Sequence, residues 1–236
     1  MSNFNHIYKS ILTEGRIPSI FRKATPEELA ERKVQWEKIQ VDEWVEYFLK
    51  RDDIRKNKDG SYDVDGEVDF SGMKGLIKFP VKFGVVGGPF DCTSCSNLES
   101  LEGAPTRVTN GGFYCSGCKN LKSLKGAPTE VISGDNDFLD VGFMCADCIS
   151  LTSLEGAPAN VTGEFMCCGC TNLISLEGSP SYMDGSFTCA KCANLKSLKG
   201  CPTSMSGNFD CSDCGRKFTV EEVEKHCPQV EGDIHV

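Results

Sequence analysis

Between about Asp63 and Cys214 the apolar positions recur at one long, fixed spacing instead of the 3.6-residue rhythm of an amphipathic helix. The clearest copies read Gly-x-Phe-x-Cys-x-x-Cys-x-x-Leu-x-Ser-Leu-x-Gly-Ala-Pro and are anchored by Phe90, Phe113, Phe143, Phe165, Phe187 and Phe209. A degenerate first copy puts Val68, Phe70, Met73 and Leu76 in the Phe, Cys, Cys and Leu slots, which makes seven rungs. Successive anchors lie 22 or 23 residues apart, except for an interval of 30 between Phe113 and Phe143. A unit this short cannot bury its own apolar residues, so the units must stack and bury them against one another. Phe-x-Cys has the period of a strand, with both side chains on one face. The pattern therefore predicts a solenoid carrying a parallel sheet of about seven short strands over residues 61–215.

The flanks follow other rules. Residues 1–60 are expected to form a helical region that covers the first rung. It includes a short helix from Phe4 to Leu12 and a breaker pair at Gly15 and Pro18. Thr25-Pro26-Glu27-Glu28 is a capping box with Pro at the first helical position, and it predicts a helix to about Gln40. A second helix is expected from about Asp42, with Trp44, Val45, Phe48 and Leu49 as an apolar stripe packing on the open end of the stack, or alternatively with Trp36 and Trp44 as exposed anchors for a partner. Asn57-Lys58-Asp59-Gly60 predicts a turn, and the alternating acids Asp63, Asp65, Glu67 and Asp69 read as the solvent face of an edge strand. These acids lack the loop Gly and closing Glu of an EF-hand. Past Cys214, residues 216–236 predict a small terminal unit. Thr219 is its N-cap, Glu222 completes a capping box, Phe218 faces Val223, and Val230 to Val236 could add a last strand.

Phe and Cys occupy the two strand Leu slots of the leucine-rich-repeat core, x-x-Leu-x-Leu-x-x-Cys-x-x-Leu, and the second Cys stands where many repeats carry Asn. With Leu98-Glu99-Ser100-Leu101-Glu102-Gly103-Ala104-Pro105 and the matching stretches Leu121 to Pro128, Leu151 to Pro158, Leu173 to Pro180 and Leu195 to Pro202, the chain resembles the leucine-rich-repeat-like proteins of large tailed bacteriophages and some giant viruses. The resemblance covers about two thirds of the chain. It implies an α/β repeat, a leucine-rich-repeat-like solenoid with an N-terminal helical cap and a C-terminal helix-strand cap. It also implies a phage-encoded protein working in the cytoplasm of an infected bacterium or in the virion. Leu12-Thr13-Glu14-Gly15 is similar to the sites at which head-maturation proteases of some large phages remove an N-terminal segment, which would suit a head-associated structural protein.

Charge narrows the partners. The chain of 236 residues carries a net charge of −9, and residues 61–236 hold 13 basic and 23 acidic side chains against 12 and 11 in residues 1–60. An acidic solenoid repels a phosphate backbone, so a nucleic-acid partner is not expected and a basic protein partner is. No stretch has the ~18 or more apolar residues of a membrane span, and the N-terminus lacks a basic segment followed by the ~7–15 apolar residues of a secretory signal. An intracellular location is the expectation.

Twelve of the 15 cysteines form two ladders: Cys92, Cys115, Cys145, Cys167, Cys189 and Cys211 in the strand slot, and Cys95, Cys118, Cys148, Cys170, Cys192 and Cys214 three residues on. Phe70 and Met73 stand in the same slots of the first rung. That suits inward packing, with the thiols as small apolar groups donating weakly to turn carbonyls. On this reading no cofactor is needed. Zinc or an iron–sulfur cluster is the alternative, because two neighbouring rungs ~4.8 Å apart could offer four sulfurs. Disulfides suit an intracellular chain with an odd cysteine count poorly. Of the three cysteines off the ladders, Cys168 is expected to face solvent, Cys201 replaces the Ala of Gly-Ala-Pro, and Cys227 ends the last helix.

Alternation turns the residue between Phe and Cys outward. That column reads Asp69, Asp91, Tyr114, Met144, Met166, Thr188 and Asp210, an apolar centre with a carboxylate rim. The long interval adds an insertion, residues 133–140, with Asp137, Phe138 and Leu139 as further contact candidates. The chain shows no phosphate-binding Gly loop, no His-Glu-x-x-His and no Gly-x-Ser-x-Gly, and its three His (His6, His226, His235) are scattered. The sequence thus predicts a non-enzymatic module that binds a protein through its concave face and this insertion.

Overall fold

The computed structural model describes residues 25–132 and 141–236. They form a β-solenoid of about eight turns with two helices. The first helix, α1 (Pro26–Phe48), starts as the capping box requires: Glu28 N donates to Thr25 Oγ1 and Thr25 N to Glu28 Oε2, at 3.2 and 2.8 Å. The break expected near Gln40 is absent, and α1 runs unbroken for 23 residues. No Gly or Pro interrupts it, and Val41, Trp44 and Phe48 keep one stripe facing the body at i, i+3 and i+7. Phe48 is fully buried, and Trp44 stacks on Phe48 and Phe70 with centroids 4.8 and 4.0 Å apart.

The strands follow in chain order: β1 (Ile54–Lys56), β2 (Tyr62–Val64), β3 (Val68–Asp69), β4 (Phe83–Val86), β5 (Phe90–Asp91), β6 (Arg107–Val108), β7 (Phe113–Tyr114), β8 (Glu130–Val131), β9 (Val141–Met144), β10 (Asn160–Thr162), β11 (Glu164–Met166), β12 (Tyr182–Asp184), β13 (Phe187–Thr188), β14 (Ser204–Met205) and β15 (Phe209–Asp210). Helix α2 (Val220–His226), β16 (Gln229–Val230) and β17 (Ile234–His235) complete the chain. The expected sheet is present as eight strands, β3, β5, β7, β9, β11, β13, β15 and β17, all parallel, with Val68, Phe90, Phe113, Phe143, Phe165, Phe187, Phe209 and Ile234 in one column. We refer to it as the Phe sheet.

A second sheet was not foreseen. Strands β1, β2, β4, β6, β8, β10, β12, β14 and β16 form a nine-stranded layer, parallel except for the β1–β2 hairpin. Each turn therefore lays down two strands. In this Val sheet the column Val64, Val86, Val108, Val131, Val161, Met183, Met205 and Val230 points into the core. Because β1 covers β2, Asp63 does not line a free edge as expected, whereas Asp65, Glu67 and Asp69 are exposed and Asp69 lies on β3, the edge strand of the Phe sheet. Asp63 is half-buried, accepts from Val85 N at 2.8 Å and Asn57 Nδ2 at 2.8 Å, and pairs with Arg55 at 2.6 Å.

Between the sheets, six phenyl rings from Phe90 to Phe209 stack with centroids 5.2–5.7 Å apart and planes within 18° of parallel. The two Leu ladders, Leu98 to Leu195 and Leu101 to Leu198, close the third side and are buried. The remaining motif residues make the corners. Ser100, Ser123, Ser153 and Ser197 each accept from the amide two residues on, at 3.0–3.4 Å. The Gly that follows sits at φ near +90° in all five copies, and at Gly126, Gly156, Gly178 and Gly200 a Cβ would collide with the backbone of the rung before.

Candidate functional site

The outward column of the Phe sheet is continuous. Register pairs Asp69 with Asp91, Asp91 with Tyr114, Tyr114 with Met144, Met144 with Met166, Met166 with Thr188 and Thr188 with Asp210. His235 extends it by one rung beyond the residues foreseen, because β17 pairs Asp210 with His235. Parallel strands set this up by repeating one bond: the amide of the strand Cys donates to the carbonyl of the column residue on the next rung, from Cys92 to Tyr114 at 2.8 Å through Cys211 to His235 at 2.9 Å.

The side chains sit differently from a simple apolar centre with a charged rim. Asp69 and His235 are exposed, but Asp91, Tyr114, Met144, Met166, Thr188 and Asp210 are half-buried. Asp69, Asp91 and Asp210 each spend Oδ1 on the backbone amide two residues on, at 2.7, 2.7 and 2.9 Å. The rim carboxylates thus hold the ends of their own strands as well as facing outward. Tyr114 lays its ring over Gly112, so closely that a Cβ there would overlap it, and burial pushes its phenol pKa up. The three acids and Tyr114 are therefore partly committed to the fold, and Met144 and Met166 form the adjustable pair. Asp137, Phe138 and Leu139 lie outside the described residues, as do the Phe4 to Leu12 helix and the Leu12 to Gly15 motif.

The thiols face inward. All six strand-slot cysteines and all of the second ladder except the half-buried Cys214 are buried, and all 15 cysteines are free thiols. The second ladder has a regular donor role. Cys95 Sγ donates to Phe70 O at 3.1 Å, and Cys118, Cys148, Cys170, Cys192 and Cys214 donate to the carbonyls of Cys92, Cys115, Cys145, Cys167 and Cys189 at 3.1–3.3 Å. Each rung is thereby tied to the one before it on the slot where leucine-rich repeats carry Asn. Burial raises the thiol pKa of Cys95 and Cys211 to about 12 and pushes Cys92 and Cys167 well above the ordinary range. Among the described residues no group of three His, Cys, Asp or Glu is arranged to hold a metal ion.

The cysteines off the ladders depart from expectation in one case. Cys168 is half-buried, with its sulfur 3.8 Å from Thr188 O and its pKa raised by burial, because the turn after Cys167 folds it over the next strand. It is not the freely exposed thiol that its place in the repeat suggested. Cys201 and Cys227 are both buried, and Cys227 donates to Pro202 O. His226 Nδ1 lies 3.0 Å from Glu222 O, within its own helix.

The Val sheet carries an outer column that the motif reading missed. Arg107, Glu130, Asn160, Tyr182 and Ser204 are in register, with Arg107 paired to Glu130 at 2.7 Å and Asn160 donating to Glu130 at 3.3 Å. The signal was a single Val or Met three residues after each Pro, flanked by polar residues. Among the described residues no helix is long and apolar enough to cross a membrane. No protein-family model matches the chain, and neither a characterised protein nor a solved structure matches it.

Proposed function

We propose that this chain is a non-enzymatic protein-binding solenoid of the leucine-rich-repeat-like phage type, capped at both ends and working in the infected host cell. Its contact surface is the outward face of the Phe sheet. The observation that carries this is the column itself: one register row keeps Met144 and Met166 adjacent and partly open while every neighbouring apolar ladder is sealed inside. Methionine is unbranched and polarizable, so an adjacent pair can adapt to a partner's side chains. Thr188 and Asp210 beyond them, and Asp91 on the other side of Tyr114, supply polar groups at the margin.

The test is quantitative capture from infected cells with the wild-type chain and with M144D/M166D, leaving Tyr114 in place because its ring shields Gly112. Partners held by the wild type should fall at least tenfold with the variant while circular dichroism is unchanged. Retention of every partner would show that this face is not the contact surface.

A further inference from the structure

A groove of about 670 Å³ opens where α1 meets the first rung, lined by Trp44, Tyr47, Arg51, Asp52, Asp53, Glu67, Asp69 and Met73. Its charge is unbalanced. Among the described residues Arg51 is the one cation in the lining, and it is already engaged: Nε and Nη2 reach the two Asp53 oxygens at 2.7 and 2.5 Å, and Nη1 donates to Glu67 O at 2.7 Å. That leaves Asp52, Glu67 and Asp69, all exposed, with no ion pair among the described residues, and Asp69 commits only Oδ1 to the Ser71 amide. The rest of the lining is three side chains with apolar surface, Trp44, Tyr47 and Met73. Trp44 is fixed by its stacking and by Nε1 donating to Asp69 O at 2.8 Å, Met73 is half-buried against the core, and Tyr47 stands 70% exposed. An aliphatic stem suits these three side chains and a cationic head suits these carboxylates, whereas an anion finds no free cation there among the described residues.

We propose that this groove takes a lysine or arginine side chain from an extended basic segment of a partner protein. The stem lies along Tyr47 and Met73, and the head pairs with Glu67 and Asp69. The groove adjoins the outward column, since Asp69 belongs to both, so a segment running along the Phe sheet reaches it at the first rung. The inference does not depend on that column, because the groove and its test remain if Met144 and Met166 prove idle.

The probe is a blocked tetra-arginine peptide, titrated into the isotopically labelled full-length chain and followed by NMR, with the tetra-citrulline peptide as its uncharged counterpart. Arginine should shift the Trp44 indole, Tyr47 and Met73 signals, and citrulline should bind at least tenfold more weakly. E67Q/D69N should weaken arginine binding by a similar factor without changing the fold, since Asn keeps an acceptor for the Ser71 amide. Equal binding by the double variant, equal binding of citrulline, or shifts confined to other faces would overturn the assignment. So would at least tenfold tighter binding to a full-length variant with Lys9, Arg16, Arg22 and Lys23 changed to Gln. That outcome would make the chain's own basic N-terminal residues the occupant.

Discussion

Within each rung the two cysteines differ in what their sulfur touches, although both are buried. Cys192 donates to Cys167 O at 3.3 Å, whereas among the described residues Cys167 Sγ has no hydrogen bond to an oxygen or nitrogen. Serine at the two positions removes a similar volume but asks different things of the site. At position 192 the new hydroxyl inherits a carbonyl to donate to. At position 167 it is buried without one, and an unsatisfied hydroxyl costs about 1–3 kcal/mol. Cys167→Ser should therefore lower the free energy of unfolding by at least about 1 kcal/mol more than Cys192→Ser in urea titrations. Equal losses would mean that the second ladder does not act as a donor. The same thiol-to-carbonyl bond suits a slot that leucine-rich repeats fill with Asn, since Asn there and Cys here are both side chains that can donate. At four turns the residue before the second Cys is not Gly yet has positive φ: Ser94, Asp147, Lys191 and Asp213 lie at 54–61°. Gly72, Gly117 and Gly169 fill the same place in the other rungs at 67–73°. The turn conformation is thus set by stacking and overrides local preference.

At the scale of elements, α1 meets the solenoid backbone to backbone. A Cβ on Gly75 would collide with the Glu37 carbonyl, and Gly75 stands where the later rungs carry Asn97, Asn120, Ser150, Asn172 and Asn194. Gly75→Ala should push the helix off its seat. Amide exchange in α1 is expected to quicken at least tenfold, about 1.4 kcal/mol, with strands β7 to β15 unaffected. Gly72→Ala is the control: at φ 71° it adds left-handed backbone strain, which Ser94 and Lys191 bear at the same place in later rungs, but its Cβ meets nothing within 4 Å. Matching exchange in the two variants would show that α1 is held elsewhere. These contacts also mark the limit of what the sequence could reveal. The Phe-x-Cys strands, the inward thiols, both capping boxes and β17 were readable because each rests on spacing or local chemistry. The Val sheet was hidden because strands of two or three residues with one apolar member show no alternation. The unbroken α1 was hidden because the stripe that unites it is fixed by Phe70 and Phe83, far along the chain. For the candidate site, membership of the column followed from period two. The fold-back of Tyr114 and the turn bonds of the aspartates depend on side-chain positions that no pattern encodes.

At the scale of the whole molecule, stability is a sum over neighbouring rungs, so a weakness repeated in every rung is multiplied. The buried thiols are such a weakness in alkali. Cys95 and Cys211 are raised from about 9 to about 12, and Cys92, Cys115, Cys145, Cys167 and Cys189 are also raised well above 9. A group whose pKa is higher in the folded chain holds its proton there while the unfolded chain releases it. Its contribution to stability is complete below the unfolded value, near 9, and is lost as pH rises from there towards the folded value. Each such thiol costs about 1.4 kcal/mol per pH unit in that window, so two of them already cost about 3 kcal/mol. Under reducing conditions the urea midpoint should hold steady to about pH 8.5 and then drop steeply by pH 10.5. The net charge of −9 also grows with pH, and self-repulsion could imitate the effect. Salt separates the two causes, because screening weakens repulsion between exposed charges and leaves buried thiols untouched. The drop should persist in molar salt and become shallower by one thiol's share in Cys167→Ala. A midpoint that stays level to pH 10.5, or that salt restores, would mean that the sulfurs are not sealed inside the stack.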